Sequence, residues 1–265
     1  MVFVRDPCGI ICLIVTYGAI IYADYVVIYW IIPATMPLSI GAFNVALYNT
    51  VIFLLGMSHW RAAFSDPGFV PLPTKRLDFS DLHSGADQGG EWTLCTLCEI
   101  YRPPRAHHCT TCQRCICRAD HHCPCINNCV GECNQKYFLQ FLFYVGILCL
   151  YSVTLVLVSW IFPCAGCSKS LLESQLMHTI VLLMESTLFG LFVTLVMLDQ
   201  LSVILYDETV LAAREQNGAY WSKRRRYQLL AQVFGPGHPM LWLLPRASLK
   251  DATRYHDAAL LNHEV

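Results

Sequence analysis

The middle of the chain contains a dense cluster of cysteine and histidine residues whose types and spacing could bind metal. Ten of the 15 cysteines lie within residues 95–133, and four histidines are interleaved with them. Two Cys-x-x-Cys pairs begin at Cys95 and Cys109, and this short spacing lets two thiolates reach one tetrahedral ion. Disulfide scaffolds do not need histidine, so the pattern favours zinc binding over a set of disulfides.

Residues 91–136 contain more cysteine and histidine residues than two metal sites need. Eight ligands are enough for two closed tetrahedral zinc sites. The segment has few aliphatic side chains, so we expect bound metal to stabilise its fold, by about 10–16 kcal/mol for a structural zinc site. A cysteine that is not a ligand would remain available for other chemistry.

Three neighbouring residues have the types that nucleophilic catalysis requires. Cys123 could act as a nucleophile, and His121 could take its thiol proton. Asp120 could hold the imidazole in the required tautomer. Residue types and spacing alone leave two interpretations open, a nucleophilic cysteine and a purely structural zinc domain.

The elements around this cluster are predicted to be transmembrane helices. Hydrophobic residues make up 55% of the chain and charged residues only 14%, against about 25% charged residues in an average soluble domain. Four apolar stretches reach the ~20 residues that a helix needs to cross a bilayer. They are Cys8–Ile32, which we expect Pro33 to end, Leu38–Met57, Tyr137–Phe162 and Met177–Tyr206.

The distribution of lysine and arginine predicts the orientation of these spans. Basic residues are concentrated in the loop 59–136 and in the tail after Asp207, whereas residues 33–37 contain none and residues 163–175 contain only Lys169. The positive-inside rule therefore predicts that both termini and the cysteine-rich loop lie in the cytosol. The net charge of −1 gives no reason to expect a nucleic-acid partner.

We therefore predict an all-α integral membrane protein with a cytosolic zinc domain between its second and third helices. Cys164 and Cys167 form another Cys-x-x-Cys pair on the opposite side of the membrane, where a disulfide could form. The predicted regions are a first helical hairpin (1–58), a linker (59–90), the zinc domain (91–136), a second helical hairpin (137–206) and a cytosolic tail (207–265).

The sequence Asp120-His121-His122-Cys123 resembles the signature of the DHHC protein S-palmitoyltransferases. The resemblance covers nearly the whole chain, and residues 134–138 and 233–235 are similar to the Golgi-resident subgroup. Further matching motifs are Asp66-Pro67-Gly68, Cys95-x-x-Cys98, Arg102-Pro103-Pro104-Arg105, His108-Cys109, Cys112, Cys115, Asn127-Asn128-Cys129-Val130-Gly131, Asn134 and Phe138.

The resemblance implies roles for individual residues. Cys123 would be the acyl acceptor, with His121 and Asp120 as its partners. The resemblance also implies two structural Zn²⁺ ions in interleaved sites. One site would use Cys95, Cys98, His108 and Cys115, and the other would use Cys109, Cys112, His122 and Cys129.

The activity implied by the resemblance is transfer of a palmitoyl group from palmitoyl-CoA to protein cysteines. Cys123 would attack the thioester and a substrate thiol would then attack the acyl-enzyme, as in a ping-pong reaction. The acyl chain would lie among the helices, and the CoA phosphates would lie near Arg118, Lys136 and Arg225 on the cytosolic side. The implied partners are the lipid bilayer, acyl-CoA and proteins that present a cysteine at the cytosolic face, in the Golgi or endoplasmic reticulum.

Three positions depart from the family pattern. Cys125 replaces the tryptophan that normally follows the nucleophile by two residues, and a second thiol there could accept acyl groups or divert zinc. Cys133 replaces a polar residue, and Ala212 stands where the family's TTxE motif has its glutamate. We expect catalysis to survive but to be weaker. The alternatives are an inactive relative that acts as a membrane zinc-domain binding module, and an unrelated zinc module that only binds partners.

Overall fold

The computed structural model describes residue 4 and residues 6–72, 93–103, 105–164, 166–205 and 223–246. Within these ranges, four helices are long and apolar enough to cross a membrane. The spans are Pro7–Thr35, Leu38–Phe64, Gln135–Ile161 and Lys169–Leu205.

The first span is one continuous helix with a wider segment near its end. Helix α1 (Pro7–Tyr25) continues as a π-helical segment (Val26–Ile31) and a last α-helical turn (Ile32–Thr35). The Asp6 carboxylate caps its first turn by accepting backbone N–H bonds. The expectation that Pro33 ends this span is wrong. The π turns precede Pro33 and widen the helix at the place where a proline ring would crowd the carbonyl four residues earlier.

Two of the other spans are longer than their apolar stretches. Helix α2 (Leu38–Phe64) continues beyond Met57, and helix α4 (Lys169–Leu205) begins before Met177. The last two turns of α2 contain buried residues that pack against the cysteine-rich segment. The apolar stretches in the sequence therefore predicted the lipid-facing part of each helix. They did not predict the additional turns, which are more polar and which tertiary contacts stabilise.

Helix α3 (Gln135–Ile161) lies at the centre of the bundle and packs against both α2 and α4. The Tyr48 hydroxyl and the Ser152 hydroxyl form a buried hydrogen bond of 2.8 Å between α2 and α3. Large apolar side chains cover the outer faces, for example Leu38 and Leu188, which are 89% and 69% exposed. Such a surface suits lipid, and the predicted helical integral membrane fold is confirmed, although the cysteine-rich segment adds short strands to it.

Two smaller features complete the helical part. Cys164 and Cys167, between α3 and α4, form a disulfide, as the sequence allowed. Helix α5 (Lys223–Phe234) packs through Leu229 against α3 and α4. The Gln140 amide of α3 donates hydrogen bonds to carbonyls of the segment that follows α5, at 2.6 and 2.9 Å.

The cysteine-rich segment between α2 and α3 folds as a series of short antiparallel hairpins. In the described residues there are three of them, each with a left-handed residue directly before its second strand: Glu99, Gln113 and Asn127. The strands pair as β1 (Thr93–Cys95) with β2 (Ile100–Arg102), β3 (His107–Cys109) with β4 (Arg114–Ile116), and β5 (His121–Cys123) with β6 (Asn128–Val130).

The hairpins repeat every 14 residues, because their first strands begin at residues 93, 107 and 121. The left-handed residues 99, 113 and 127 keep the same spacing. The sequence repeats His107-His108-Cys109 as His121-His122-Cys123 at this spacing, but the first hairpin holds Thr93 and Leu94 at the two histidine positions.

Candidate metal and nucleophile site

Cys95, Cys98, His108 and Cys115 form the first metal-type group, meaning a set of side chains that could bind one metal ion. It lies between the first and second hairpins. Its ligand atoms all lie within 4.8 Å of one another. The His108 Nδ1 atom is 3.2 Å from the Cys98 Sγ atom and 3.7 Å from the Cys95 Sγ atom. The fourth member is Cys115, which pairs with His108 across the second hairpin. Three thiols and one imidazole are a donor set that suits tetrahedral zinc.

The second group has the same composition and lies between the second and third hairpins. Its ligand atoms also lie within 4.8 Å of one another. The His122 Nδ1 atom is 3.4 Å from the Cys112 Sγ atom and 3.5 Å from the Cys129 Sγ atom. A hydrogen bond from Cys129 lowers the pKa of Cys112 to about 6, toward the thiolate form that binds metal. The fourth member is Cys109.

These two groups contain the same eight residues that the family resemblance implied. The hairpin register explains how they interleave. Each site takes the Cys-x-x-Cys pair from one hairpin and a cross-strand His–Cys pair from the next, so the second hairpin contributes to both sites.

Cys123 occupies a position in the third hairpin that is equivalent to a metal ligand in the first two. It ends β5 as Cys95 ends β1 and Cys109 ends β3. The position three residues later holds Ile126 in place of a second cysteine, and neither metal-type group found in the described residues includes Cys123. Cys123 is therefore a buried thiol, 6% exposed, that lacks the partner of a zinc knuckle.

His121 and Asp120 precede this thiol by two and three residues. His121 and Cys123 are alternate residues of β5, so their side chains leave the strand on the same face. The His121 Nδ1 atom is 2.8 Å from the Asp120 Oδ2 atom, and this contact holds the pKa of the Asp120 carboxyl below its usual value. The Phe138 ring of α3 packs edge-on against the imidazole, with ring centroids 5.6 Å apart.

Gln200 is a neighbour of this group that the sequence reading missed. Its Nε2 atom donates a 2.5 Å hydrogen bond to the Asp120 Oδ2 atom, and its side chain is buried in α4. Burying an amide in an apolar helix costs free energy unless the amide has a hydrogen-bond partner. A glutamine inside a predicted span therefore indicated that such a partner should exist.

Cys125 lies next to Cys123 in the turn that joins the two strands of the third hairpin. Interaction with the Cys123 thiol lowers the pKa of Cys125 to about 7, and interaction with Cys125 together with burial raises the pKa of Cys123. His59 of α2, also missed in the sequence reading, donates through Nε2 to the Cys125 carbonyl at 3.0 Å. The His59 Nδ1 atom accepts a 2.8 Å hydrogen bond from the Tyr17 hydroxyl of α1.

Two cavities open near the cysteine-rich segment and among the helices. A polar cleft of about 240 Å³ is lined by Arg105, Arg118 and Asp120 together with residues of α4 and α5. A small, mainly apolar cavity of about 50 Å³ lies among the four membrane helices and includes Glu185 and Ser152 in its lining.

The structure describes the surroundings of two of the three residues predicted to contact CoA. Arg118 lines the polar cleft, whereas Lys136 is buried and donates a 3.1 Å hydrogen bond to the Arg246 carbonyl. Arg225 lies in α5, but its side chain is outside the described residues, as is Ala212.

The Asp-Pro-Gly and Asn-Asn motifs join the cysteine-rich segment to the end of α2. The Asp66 carboxylate accepts backbone hydrogen bonds of 2.7 and 2.8 Å in the turn at Gly68, which has a φ of 108°. The Asn128 amide donates to three carbonyls at the end of α2, at 2.9 to 3.2 Å, and Asn134 donates to the Ala62 carbonyl at 3.1 Å. These bonds satisfy carbonyls that a helix end leaves without intrahelical partners.

Comparison with known proteins gives a consistent set of relatives. The DHHC palmitoyltransferase family model matches residues 88–217. The chain is 33% identical to palmitoyltransferase ZDHHC3 of Homo sapiens over 253 residues, which covers 94% of this chain and 84% of that protein. It is 32% identical to palmitoyltransferase ZDHHC7 of Mus musculus over 248 residues, covering 92% and 80%. It is 40% identical to the probable protein S-acyltransferase 16 of Arabidopsis thaliana over 122 residues, covering 45% and 43%.

Proposed function

Because the chain belongs to the DHHC palmitoyltransferase family, we propose that it is a membrane-embedded protein S-acyltransferase whose acyl group is carried by Cys123. It transfers a palmitoyl group from palmitoyl-CoA to cysteine thiols of proteins at the membrane surface.

The observation that carries this proposal is the position of Cys123. Its hairpin repeats the geometry of the two metal-type hairpins, yet Ile126 removes the second cysteine of the knuckle. A thiol that is not held by metal lies on the same strand face as His121, whose imidazole is oriented by Asp120. A binding module needs no such combination of thiol, base and orienting carboxylate.

The chemistry follows from the roles of these side chains. His121 accepts the thiol proton as the Cys123 sulfur attacks the thioester carbonyl carbon of palmitoyl-CoA. The carbon–sulfur bond to CoA breaks, and CoA leaves after taking up a proton. A substrate thiol then attacks the Cys123 thioester, which returns Cys123 to its free form. Asp120 keeps His121 in the tautomer that can accept the proton.

The metal ions have a structural part in this scheme. The eight cysteine and histidine residues of the two metal-type groups would hold two Zn²⁺ ions, which fix the hairpins and so the position of Cys123. We assign no chemical step to the ions.

The membrane helices and the polar cleft suit the two ends of the acyl donor. The apolar faces of the helices suit the fatty chain, since each exposed CH₂ group costs about 0.8 kcal/mol in water, whereas the cavity of about 50 Å³ among them is too small for a whole palmitoyl chain. The polar cleft suits the CoA phosphates, because Arg105 and Arg118 line it beside Asp120. Of the three basic residues predicted from the sequence, Arg118 is the best supported, while Lys136 already donates to a backbone carbonyl.

We assign both termini and the cysteine-rich domain to the cytosol on the distribution of basic residues. Cysteine-containing substrates would then approach from the cytosolic face. Residence in the Golgi or endoplasmic reticulum is proposed on resemblance to the Golgi-resident subgroup, which includes matches at residues 134–138.

The test is labelling with an alkyne-tagged fatty acid in cells that express the full chain. Wild type should carry hydroxylamine-sensitive label, as a thioester does, and Cys123→Ser should lose it, together with the label on a co-expressed substrate. Cys133→Ser, a change of another cysteine that lies outside both metal-type groups, is the matched control and should keep the label. Equal labelling of wild type and Cys123→Ser would overturn the proposal and favour a membrane zinc module without acyl transfer.

A further inference from the structure

A second thiol lies two residues from the proposed acyl carrier. Cys123 ends β5, and Cys125 lies in the 3₁₀ turn Pro124–Ile126 that follows directly. Cys123 belongs to the apolar core of the helical part, and Cys125 packs against the same core.

The turn that carries both thiols is fixed from several sides. His59 of α2 donates to the Cys125 carbonyl at 3.0 Å, and the Asn127 amide donates to the Val4 carbonyl at 2.7 Å. Ile126 is fully buried. Because the backbone on both sides of Cys125 is held, the two thiols meet in a defined arrangement.

Cys125 is also available for chemistry in a way that the metal-type cysteines are not. Neither metal-type group of the described residues includes it. Its side chain is partly buried and packs against the same apolar core as Cys123. An acyl group on either sulfur would therefore have its chain beside the same helices.

We propose that Cys125 is a second acyl acceptor, which takes the acyl group from Cys123 by direct transfer within the turn. The inference rests on the proposed function, because Cys123 must first be acylated. The Cys125 sulfur attacks the thioester carbonyl carbon on Cys123, and a new carbon–sulfur bond forms at Cys125. The bond to the Cys123 sulfur breaks, and the proton lost by Cys125 ends on Cys123. One thioester replaces another, so no oxidant, reductant or further reactant is needed.

Proximity makes this transfer fast relative to competing reactions. Effective molarities of well-oriented intramolecular reactions reach about 10⁵–10⁸ M. Thioester exchange between two cysteines changes little in bond energy, so both acyl forms should be populated.

The experiment uses purified full-length protein in detergent and palmitoyl-CoA as the probe. Samples are quenched with acid at successive times, because protonated thiols no longer exchange. After proteolysis, fragmentation between Cys123 and Cys125 in the mass spectrometer locates the added palmitoyl mass. In wild type, acyl on Cys125 should appear after acyl on Cys123. In Cys125→Ser, only Cys123 should carry the group, and in Cys123→Ser neither position should.

The outcomes separate this inference from the proposed function. Acylated Cys123 with no acyl on Cys125 at any time would overturn the transfer and leave the proposed function intact. Acyl on Cys125 in the Cys123→Ser variant would also overturn it, because Cys125 would then be loaded directly. Absence of acyl at both positions in wild type would overturn the proposed function and the transfer together. Cys133→Ser is the matched control and should behave as wild type, and metal content shows that each variant is folded.

Discussion

At the scale of single residues, the carboxylate of Asp120 connects the residues around Cys123 with helix α4. One oxygen of this group contacts both the His121 imidazole at 2.8 Å and the Gln200 amide at 2.5 Å. Gln200 touches no reacting atom, so we regard it as a positioning residue that holds Asp120 for His121.

Replacing Gln200 by leucine should slow autoacylation. The change removes a buried hydrogen bond to a charged group, worth about 1.5–3 kcal/mol, and so predicts a loss of roughly tenfold or more in rate. Single-turnover labelling with palmitoyl-CoA measures this rate. Gln175→Leu, at another buried glutamine of α4, is the control and should leave it unchanged. Recovery of the rate in Gln200→Asn would support positioning, whereas equal rates for Gln200→Leu and wild type would exclude it.

Replacing Cys125 by tryptophan should speed the loading of Cys123 severalfold. Tryptophan removes the interaction with the ionisable Cys125 thiol that raises the pKa of Cys123, so the Cys123 thiol loses its proton more readily. The measurement is the initial rate of autoacylation at neutral pH. Equal rates for the variant and wild type would show that Cys125 does not weaken the enzyme.

At the scale of elements, the hairpins form a series in which neighbours share their metal sites. The second hairpin gives Cys109 and Cys112 to one group and His108 and Cys115 to the other. Disorder at one site should therefore spread to the next through the β3–β4 pair.

His108→Ala should lower the zinc content by more than one ion per chain. Loss of one ligand weakens metal binding at the first site and so removes a constraint on the second hairpin. Because this hairpin also provides two ligands of the other site, that site is weakened too. Inductively coupled plasma mass spectrometry on purified protein gives the ratio, which we expect to fall from two to below one. His107→Ala, a change of the adjacent residue outside both groups, is the control and should retain two ions. A ratio of one in His108→Ala would mean that the sites bind independently.

At the scale of the whole molecule, the cysteine-rich domain is fixed to the membrane helices at the end of α2. The Asn128 amide bonds three carbonyls there, and the hairpin turn at Cys125 contacts His59 of the same helix. These bonds therefore fix the third hairpin, which carries Cys123, to the end of α2.

Asn128→Ala should lower the thermal stability of the protein in detergent while leaving its metal-ligand set intact. Buried carbonyls would lose their donor, at a cost of about 1–3 kcal/mol for each group that finds no other partner. The melting temperature measures the effect. Asn44→Ala, at a half-buried asparagine of α2 far from this junction, is the control and should shift the melting temperature less. An equal shift for both would show that the junction adds no stability of its own.

Composition and spacing allowed prediction of the four spans and of a metal-binding cluster, and they left a disulfide between Cys164 and Cys167 possible. The assignment of eight ligands to two groups came from the family resemblance. The sequence did not allow prediction of contacts made by Gln200 and His59, whose partners are 80 and 66 residues away. The end of the first span was misjudged because a π segment made room for Pro33. The hairpin repeat was missed because Leu94 and His108 hold equivalent positions in different repeats.

The 14-residue spacing of the hairpins has a consequence for how such a domain can change in length. Each metal-type group combines two ligands from one hairpin with two ligands from the next hairpin. The last hairpin of the series has no following hairpin that could complete such a group. In this chain Cys123, the proposed acyl carrier, lies in that last hairpin. Insertion or deletion of one whole hairpin unit would preserve the pairing of ligands between neighbours and keep the proposed acyl-carrying thiol in the last hairpin. Any other change in length would disrupt the metal sites and displace the thiol.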